Sequence, residues 1–258
     1  MRRIDQISDL HFGRTDDVVV ASLVDRLNED PADLIAVTGD LTMRARRREY
    51  AAAMEFLRAL KAPWIAIPGN HDITAYWPWE RFLDPYGRFR HFVSPEIEPG
   101  WIDDEVAVLS LNTVSRGGLR RNWSDGSVHR AGLIRLLRKL RTVPPDRTRI
   151  VLAHHPFLAP PTLPTATLAR HSGRALRLLA RANVTAILTG HLHRTYTSPY
   201  TILNSSKFLP LVVSCGSSTS TRLREENNSY NRLYVEQRSI FLENCRWSGR
   251  CWITERGF

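Results

Sequence analysis

Asp33-Leu34-Ile35-Ala36-Val37-Thr38-Gly39-Asp40 runs apolar for several residues and then stops on a glycine and a carboxylate. Short apolar runs bounded by turn residues read as buried strands, so residues 33–38 are expected to be a strand with Asp40 just beyond its end. Working outward, residues 16–27 place Val19, Leu23, Val24 and Leu27 at helical spacing, with Asp16 and Asp17 favouring the N-terminus. Residues 46–60 place Tyr50, Ala53, Met54 and Leu57 on one helical face. Residues 3–8 and 64–67 read as further strands. A strand–helix–strand–helix–strand order argues for an α/β domain with largely parallel pairing.

Further along, residues 73–100 read as irregular and aromatic. Strands are expected at 106–111, 149–153 and 184–188, and helices at 131–141 and 167–181. Beyond these the helical period stops. Residues 200–203, 211–214, 231–236, 239–243 and 251–254 read as consecutive strands, expected to form a second, partly antiparallel sheet packed on the first. No internal repeat, low-complexity tail or linker stands out, so residues 1–258 are expected to be a single domain.

Composition bounds the function. The chain is 43% hydrophobic and 24% charged, as in ordinary globular proteins. No apolar run approaches the ~18 residues that a membrane-spanning helix needs. Met1-Arg2-Arg3 leads into strand-like residues, not a charged start before an apolar stretch, so the cytoplasm is the expected location. The three cysteines, Cys215, Cys245 and Cys251, lack metal-ligand spacing and suit a reducing compartment. Cys245 and Cys251 flank a segment able to turn as a hairpin, where a disulfide is the alternative to free thiols. The net charge is +10, nearly all from arginine, since lysine occurs only at 61, 139 and 207. Such charge suits a nucleic acid, an anionic membrane or simply a solvated surface. The arginines are spread along the chain, which favours the solvated surface; only Arg44 and Arg46 to Arg48 form a dense run, at the opening of a helix.

Five polar clusters follow five of the apolar runs: Ser8-Asp9-Leu10-His11, Gly39-Asp40, Gly69-Asn70-His71-Asp72, His154-His155-Pro156 and Gly190-His191-Leu192-His193. Functional groups of α/β sheets gather beyond the carboxyl ends of strands, so these distant segments can converge. Asp, Asn and His together offer oxygen and nitrogen donors that suit manganese, iron or zinc. Asp9/His11 and His191/His193 are i, i+2 pairs, whose members share a side in extended backbone. His154 and His155 should point to opposite sides, and the residues alone leave open which faces the metals.

The order Asp-x-His, Gly-Asp, Gly-Asn-His-Asp, His, Gly-His-x-His resembles the calcineurin-like metallophosphoesterase superfamily over residues 5–193, most closely its bacterial cyclic-nucleotide phosphodiesterase-related group. The resemblance implies a four-layer α/β/β/α sandwich of two mixed sheets flanked by helices, with the site at strand C-terminal ends. It implies one metal on Asp9, His11, Asp40 and His193, and a second on Asp40, Asn70, His154 and His191, with Asp40 bridging. It also makes His154, not His155, the ligand, and leaves His71 beside the metals as a catalytic residue. In this scheme a metal-bridging hydroxide attacks phosphorus, and His71 acts as general acid with Asp72 orienting its imidazole. Met43 stands where purple acid phosphatases carry tyrosine, which excludes a tyrosinate site. Asp72 and Ala45 depart from the Ser/Thr phosphatase pattern.

The expected substrate is a small phosphodiester, nucleotide-type or pyrophosphate compound. The alternatives are a lipid-linked nucleotide such as UDP-diacylglucosamine, with peripheral contact to anionic membrane, and a DNA nuclease. A non-catalytic protein-binding scaffold is disfavoured because every ligand position is filled, and a nucleic-acid partner is not expected. Arg44 and Arg116 lie after strand ends and could bind phosphate oxygens. Tyr76-Trp77-Pro78-Trp79 could wall a pocket or fill core.

Overall fold

The computed structural model describes residues 1–115, 124–198, 202–204 and 207–256. Arg116 and residues 200–201 of an expected strand lie outside the described residues. Among the described residues the strands and α-helices run in the order β1 (Arg2–Ile7), α1 (Asp17–Glu29), β2 (Leu34–Val37), α2 (Arg47–Ala59), β3 (Trp64–Ala66), α3 (Pro78–Leu83), α4 (Gly87–Phe92), β4 (Gly100–Ile102), β5 (Val106–Ser110), α5 (Arg130–Thr142), β6 (Thr148–Leu152), α6 (Ser172–Arg181), β7 (Val184–Thr189), β8 (Tyr196–Thr197), β9 (Ile202–Asn204), β10 (Lys207–Phe208), β11 (Leu211–Ser214), β12 (Ser229–Glu236), β13 (Ser239–Trp247) and β14 (Trp252–Arg256).

Two six-stranded sheets carry the fold, ordered β14-β13-β12-β1-β2-β3 and β4-β5-β6-β7-β11-β8. Both are mixed. β1, β2 and β3 are parallel, and so are β5, β6, β7 and β11, with antiparallel strands at the flanks. Strand–helix–strand units need the crossover that α1, α2, α5 and α6 provide. Ile4, Leu34, Ala36, Leu233 and Val235 of the first sheet pack on Val108, Ile150, Leu152, Leu188 and Val213 of the second. α1 and α2 cover the outer face of the first sheet, where Leu23, Leu27, Tyr50 and Leu57 meet Ile7, Ile35 and Val37. α5 and α6 cover the second through Leu133, Leu136, Leu176 and Leu179. These are the expected four layers.

The division of strands differs from the sequence expectation. The C-terminal strands do not form a second sheet of their own. β12, β13 and β14 extend the first sheet from β1, while β11 joins β7 in the second. Period-2 patterning marks a strand but not its partner, and here β1 pairs with residues more than two hundred positions away. α6 is also shorter than expected. His171 takes φ 65°, a left-handed turn that blocks helix upstream, so the helix starts at Ser172. α3 and α4 fall within the segment read as irregular; six residues are too few to show a helical period. β13 and β14 form the hairpin, with Cys245 opposite Thr254 and Cys251 in the turn, both as free thiols.

Candidate metal centre

Every parallel strand in both sheets sends its C-terminal end to one place. From the first sheet come Asp9 and His11 after β1, Asp40 after β2, and Asn70, His71 and Asp72 after β3. From the second come His154 and His155 after β6, and His191 and His193 after β7. The loops stay joined by main-chain bonds beyond the strands: Asp9 N–H donates to Gly39 O at 3.0 Å, His11 N–H to Asp40 O at 2.9 Å, and Gly190 N–H to His154 O at 3.0 Å.

The backbone there is not extended. Asp9, His11, Asp40, His191 and His193 all have positive φ, between 51° and 71°. Non-glycine residues rarely adopt this conformation, although Asp and His do so more readily than most. It corrects the strand-based reason for pairing i with i+2: each pair is aimed by two left-handed residues. Sparsely populated conformations of this kind cost of order 1–3 kcal/mol each and concentrate at functional sites. Close approach is enforced as well. A Cβ on Gly69 would fall 2.1 Å from Asp40 Oδ1, and one on Gly190 2.0 Å from Ser8 Oγ.

The seven expected ligands come together in two groups that share Asp40. In one, His193 Nε2 lies 3.2 Å from Asp9 Oδ1 and 3.0 Å from His11 Nε2. In the other, Asn70 Oδ1 stands 3.1 Å from His154 Nε2 and 2.9 Å from His191 Nδ1. Asp40 Oδ2 lies between them, 3.8 Å from His11 Nε2 and 3.3 Å from His154 Nε2. Among the described residues, groups of three such donors within 4.8 Å of one another include Asp9/His11/His193 and Asp9/Asp40/His154.

The donor atoms fit metal ions. Asp9 Oδ1 is buried without a hydrogen-bond partner. Two imidazole nitrogens facing each other at 3.0 Å share at most one proton. His154 and His193 donate their Nδ1–H to Thr38 O at 2.8 Å and Arg222 O at 3.0 Å, which fixes the tautomer and turns Nε2 inward. Burial opposes charge on His154, yet Asp40 beside it raises its pKa to about 9. Burial likewise opposes charge on His193, and Asp9 raises it. Burial lowers His11 to about 4 and, with His154 close by, His191 to about 3. Both carboxylates are held well below their ordinary range against burial, Asp9 by His193 and Asp40 by His154.

His155 stays beside the centre: its ring centroid lies 4.6 Å from that of His191 and 4.8 Å from that of His154, and the three also form a group of donors within 4.8 Å of one another. Its Nε2–H donates to Ser124 O at 2.9 Å, and its Nδ1 meets Thr113 Oγ1 at 2.9 Å. His71 faces the site with Nδ1–H donating to Met43 O at 2.7 Å. Asp72 does not orient that ring. Its carboxylate is fully buried and accepts the N–H groups of Leu41, Thr42 and Gly69 and the Thr42 hydroxyl, at 2.9–3.1 Å. It holds the Gly-Asp loop in shape, and a backbone carbonyl orients the imidazole.

The structure adds a support that the sequence reading passed over. After β11, Ser217 Oγ donates to Asp9 O at 2.7 Å, Thr219 Oγ1 to Leu10 O at 2.8 Å, and Ser218 N–H to Ser8 O at 2.9 Å. These bonds brace the left-handed Asp9-Leu10-His11 turn. The signal was present: Leu211-Val212-Val213-Ser214 is an apolar run followed by Gly216 and small polar residues. Beside the centre opens a cleft of about 340 Å³ lined by residues that include Met43, Arg44, Asn70, His71, Tyr76 and Arg81.

A family model described as calcineurin-like phosphoesterase matches residues 2–195. The chain is 29% identical over 195 residues to a glycerophosphodiester phosphodiesterase of Enterobacter lignolyticus, covering 74% of this chain and 66% of that one. It is 29% identical over 175 residues to a 3',5'-cyclic adenosine monophosphate phosphodiesterase of Haemophilus influenzae, covering 65% and 57%. The chain thus spans less than two thirds of either relative. Among solved structures, a dimetal phosphatase from Danio rerio shares the fold at TM-score 0.65 and 12% identity, over 99% of this chain and 98% of that one. A purple acid phosphatase from yellow lupin shares it at TM-score 0.72 and 12% identity, over 98% and 53%.

Proposed function

The chain belongs to the calcineurin-like phosphoesterase family, and on that premise we propose that it hydrolyses phosphodiester or pyrophosphate bonds with two metal ions. One observation carries the reading: two groups of Asp, Asn and His donors meet at Asp40 Oδ2, within 3.8 Å of a histidine from each. Asp9, His11, Asp40 and His193 would hold one ion; Asp40, Asn70, His154 and His191 would hold the other. A donor set without thiolate supports manganese, iron or zinc. Metal ions so held supply Lewis acidity to the phosphoryl group and activate water at neutral pH.

The chain's own groups do the rest. With Nδ1–H committed to Met43 O, His71 has Nε2 left to give a proton to the leaving oxygen. Asp40 Oδ1 accepts the His71 N–H at 2.8 Å, so the carboxylate that would be common to both metal sites also positions this residue. Asp72, given a catalytic role on sequence, acts in this reading by positioning Leu41 and Thr42. Arg44 and Arg81 line the cleft with Tyr76. Arg81 is buried and donates Nη1–H to Thr74 O at 3.0 Å. The cleft therefore offers cationic and aromatic walls together, which suits a singly charged diester with an organic arm. The names of the relatives, one acting on glycerophosphodiesters and one on cyclic AMP, support the same substrate class. The cytoplasmic location expected from the sequence belongs to this reading.

The test is kcat/KM for bis-nitrophenyl phosphate against nitrophenyl phosphate at one pH with Mn²⁺ present. A tenfold preference for the diester, about 1.4 kcal/mol of transition-state stabilisation, is expected. Faster cleavage of the monoester would overturn the diester reading. UDP-diacylglucosamine and DNA belong in the same panel, because turnover of either exceeding that of small diesters would replace the substrate class proposed here.

A further inference from the structure

The aromatic segment offered on sequence as pocket wall or core divides three ways. Tyr86 and Phe89 are buried, and Tyr76 lines the cleft. Trp77, Trp79, Phe82 and Leu83 do neither; they are 62%, 80%, 49% and 80% exposed. All four lie on α3 or at its N-cap. Trp79, Phe82 and Leu83 stand three and four positions apart and so share one helix face. Arg81 faces the other way, buried, with Nη1–H on the Ile73 and Thr74 carbonyls, and anchors the helix from beneath. Contiguous exposed apolar surface of this kind marks an interaction site.

The charges around the patch indicate the partner. The acidic residues of this segment are each met by an arginine: Arg88 binds Glu80 at 2.5 and 2.6 Å, and Arg90 binds Asp84 at 2.7 Å. Arg88, on α4, also donates to Ala45 O at 2.7 Å, so through Glu80 it links α3 to the loop that opens α2. That loop is basic. Arg44 lies 5.6 Å over the Tyr76 ring, and Arg14, Arg44 and Arg46, all exposed, line one hollow of about 230 Å³. The acidic residue in the hollow, Glu49, accepts the N–H groups of Arg44 and Arg46. Indole rings favour the headgroup level of a bilayer, and nearby arginines gain from anionic lipid. A nucleic acid could stack on the rings but would leave Leu83 uncovered.

We propose that α3 with Trp77, together with Arg14, Arg44 and Arg46, is a peripheral docking site for an anionic phospholipid surface, holding the cleft close to the bilayer. Docking is independent of the reaction proposed above, since binding is measured without turnover.

The full chain is sedimented with phosphatidylcholine vesicles containing phosphatidylglycerol and with pure phosphatidylcholine vesicles, in about 0.1 M salt. Partitioning to the anionic vesicles is expected, with little to the neutral ones. A Trp77→Ala/Trp79→Ala variant should lose at least tenfold, with unchanged circular dichroism and unchanged turnover of a soluble diester. Arg14→Gln and Arg46→Gln should each cost about fivefold. Equal sedimentation with both vesicle types, or none, overturns the proposal. So does undiminished binding by the double tryptophan variant. Self-association or single-stranded RNA binding that the same variant abolishes, without vesicle binding, would assign the patch to a second copy or to nucleic acid instead.

Discussion

At the scale of single residues, the proton on His71 carries the most testable chemistry. Its Nδ1–H is fixed on Met43 O, so only Nε2 can serve a leaving group. His71→Ala should keep both metals, because its hydrogen bond to the donor groups runs from its backbone N–H to Asp40 Oδ1, which alanine retains, and should lower kcat by about 10²–10⁴-fold on substrates with alkoxide leaving groups. The loss should shrink for nitrophenolate, which needs no proton; an equal loss on both would assign His71 another role. A second expectation concerns pH. Asp40 raises His154 from 6.5 to about 9 against burial. The stabilisation this gives the metal-free protein is complete below the ordinary histidine range and is lost as pH rises through about 9. A metal ion needs that nitrogen without its proton, so uptake at neutral pH should release protons and tighten as pH rises. Calorimetry in buffers of different ionisation heat measures this, and metal uptake without proton release would remove His154 from the ligand set. Residue identities were largely legible in the sequence, because Asp, Asn and His at strand ends have few other reasons to cluster. Their backbone was not. Nothing in Asp9-Leu10-His11 announces φ values of 51° and 52°, which depend on Ser217 and Thr219 bracing it from the far end of the chain. Nor could the sequence show that Asp72 serves three backbone N–H groups and a hydroxyl instead of an imidazole.

At the scale of elements, the site exists because parallel strands end together and glycine lets their loops touch. β7 is the clearest case. It leads into Gly190, whose missing side chain admits Ser8 Oγ and Asp9 Oδ2 from the other sheet; a Cβ would meet them at 2.0 and 2.5 Å. Asp9 Oδ2 there accepts the His191 N–H at 2.9 Å and the Ser8 hydroxyl at 2.7 Å. Gly190→Ala must therefore move Asp9. It should cost about 1–3 kcal/mol of stability through overpacking and about 10–100-fold in metal affinity, the usual effect of disturbing a ligand's support. Equilibrium dialysis with Mn²⁺ beside denaturant unfolding measures both; native affinity in the alanine variant would show that the close approach is dispensable. Five of the strand ends were readable as apolar run, turn and polar cluster. The ends of β5 and β11 obey the same rule but carry hydroxyls, Thr113 and residues 217–219, which lack the colour of metal ligands and so drew no attention. α3 and α4 stayed hidden because six residues complete fewer than two helical turns.

At the scale of the whole molecule, each group of candidate donors spans both sheets. Asp9 and His11 follow β1 of the first sheet and meet His193 from the second; Asp40 and Asn70 follow β2 and β3 and meet His154 and His191. Side-chain packing joins the sheets along their length, but at this edge the join consists of polar donors. In the metal-free protein, Asp40 and Asp9 raise the pKa values of His154 and His193 beside them, against the effect of burial. Burial lowers the pKa values of His11, fully buried, and His191, half-buried, and Asp9 Oδ1 has no hydrogen-bond partner. Metal ions at these positions would satisfy all of those groups and fasten one sheet to the other. Because an unfolded chain offers no such site, binding is linked to folding. At free metal 100 times Kd each site adds about 2.7 kcal/mol, which for a chain of this size is roughly 5–10 °C in Tm. Dialysis against a chelator should lower Tm by at least that much, and Mn²⁺ should restore it. Asp40→Asn, which weakens the one carboxylate common to both groups, should flatten the response to Mn²⁺ far more than His11→Ala does. A Tm indifferent to chelator and to Mn²⁺ would mean that the donors converge without holding metal, and the strain stored in five left-handed residues would then need another explanation.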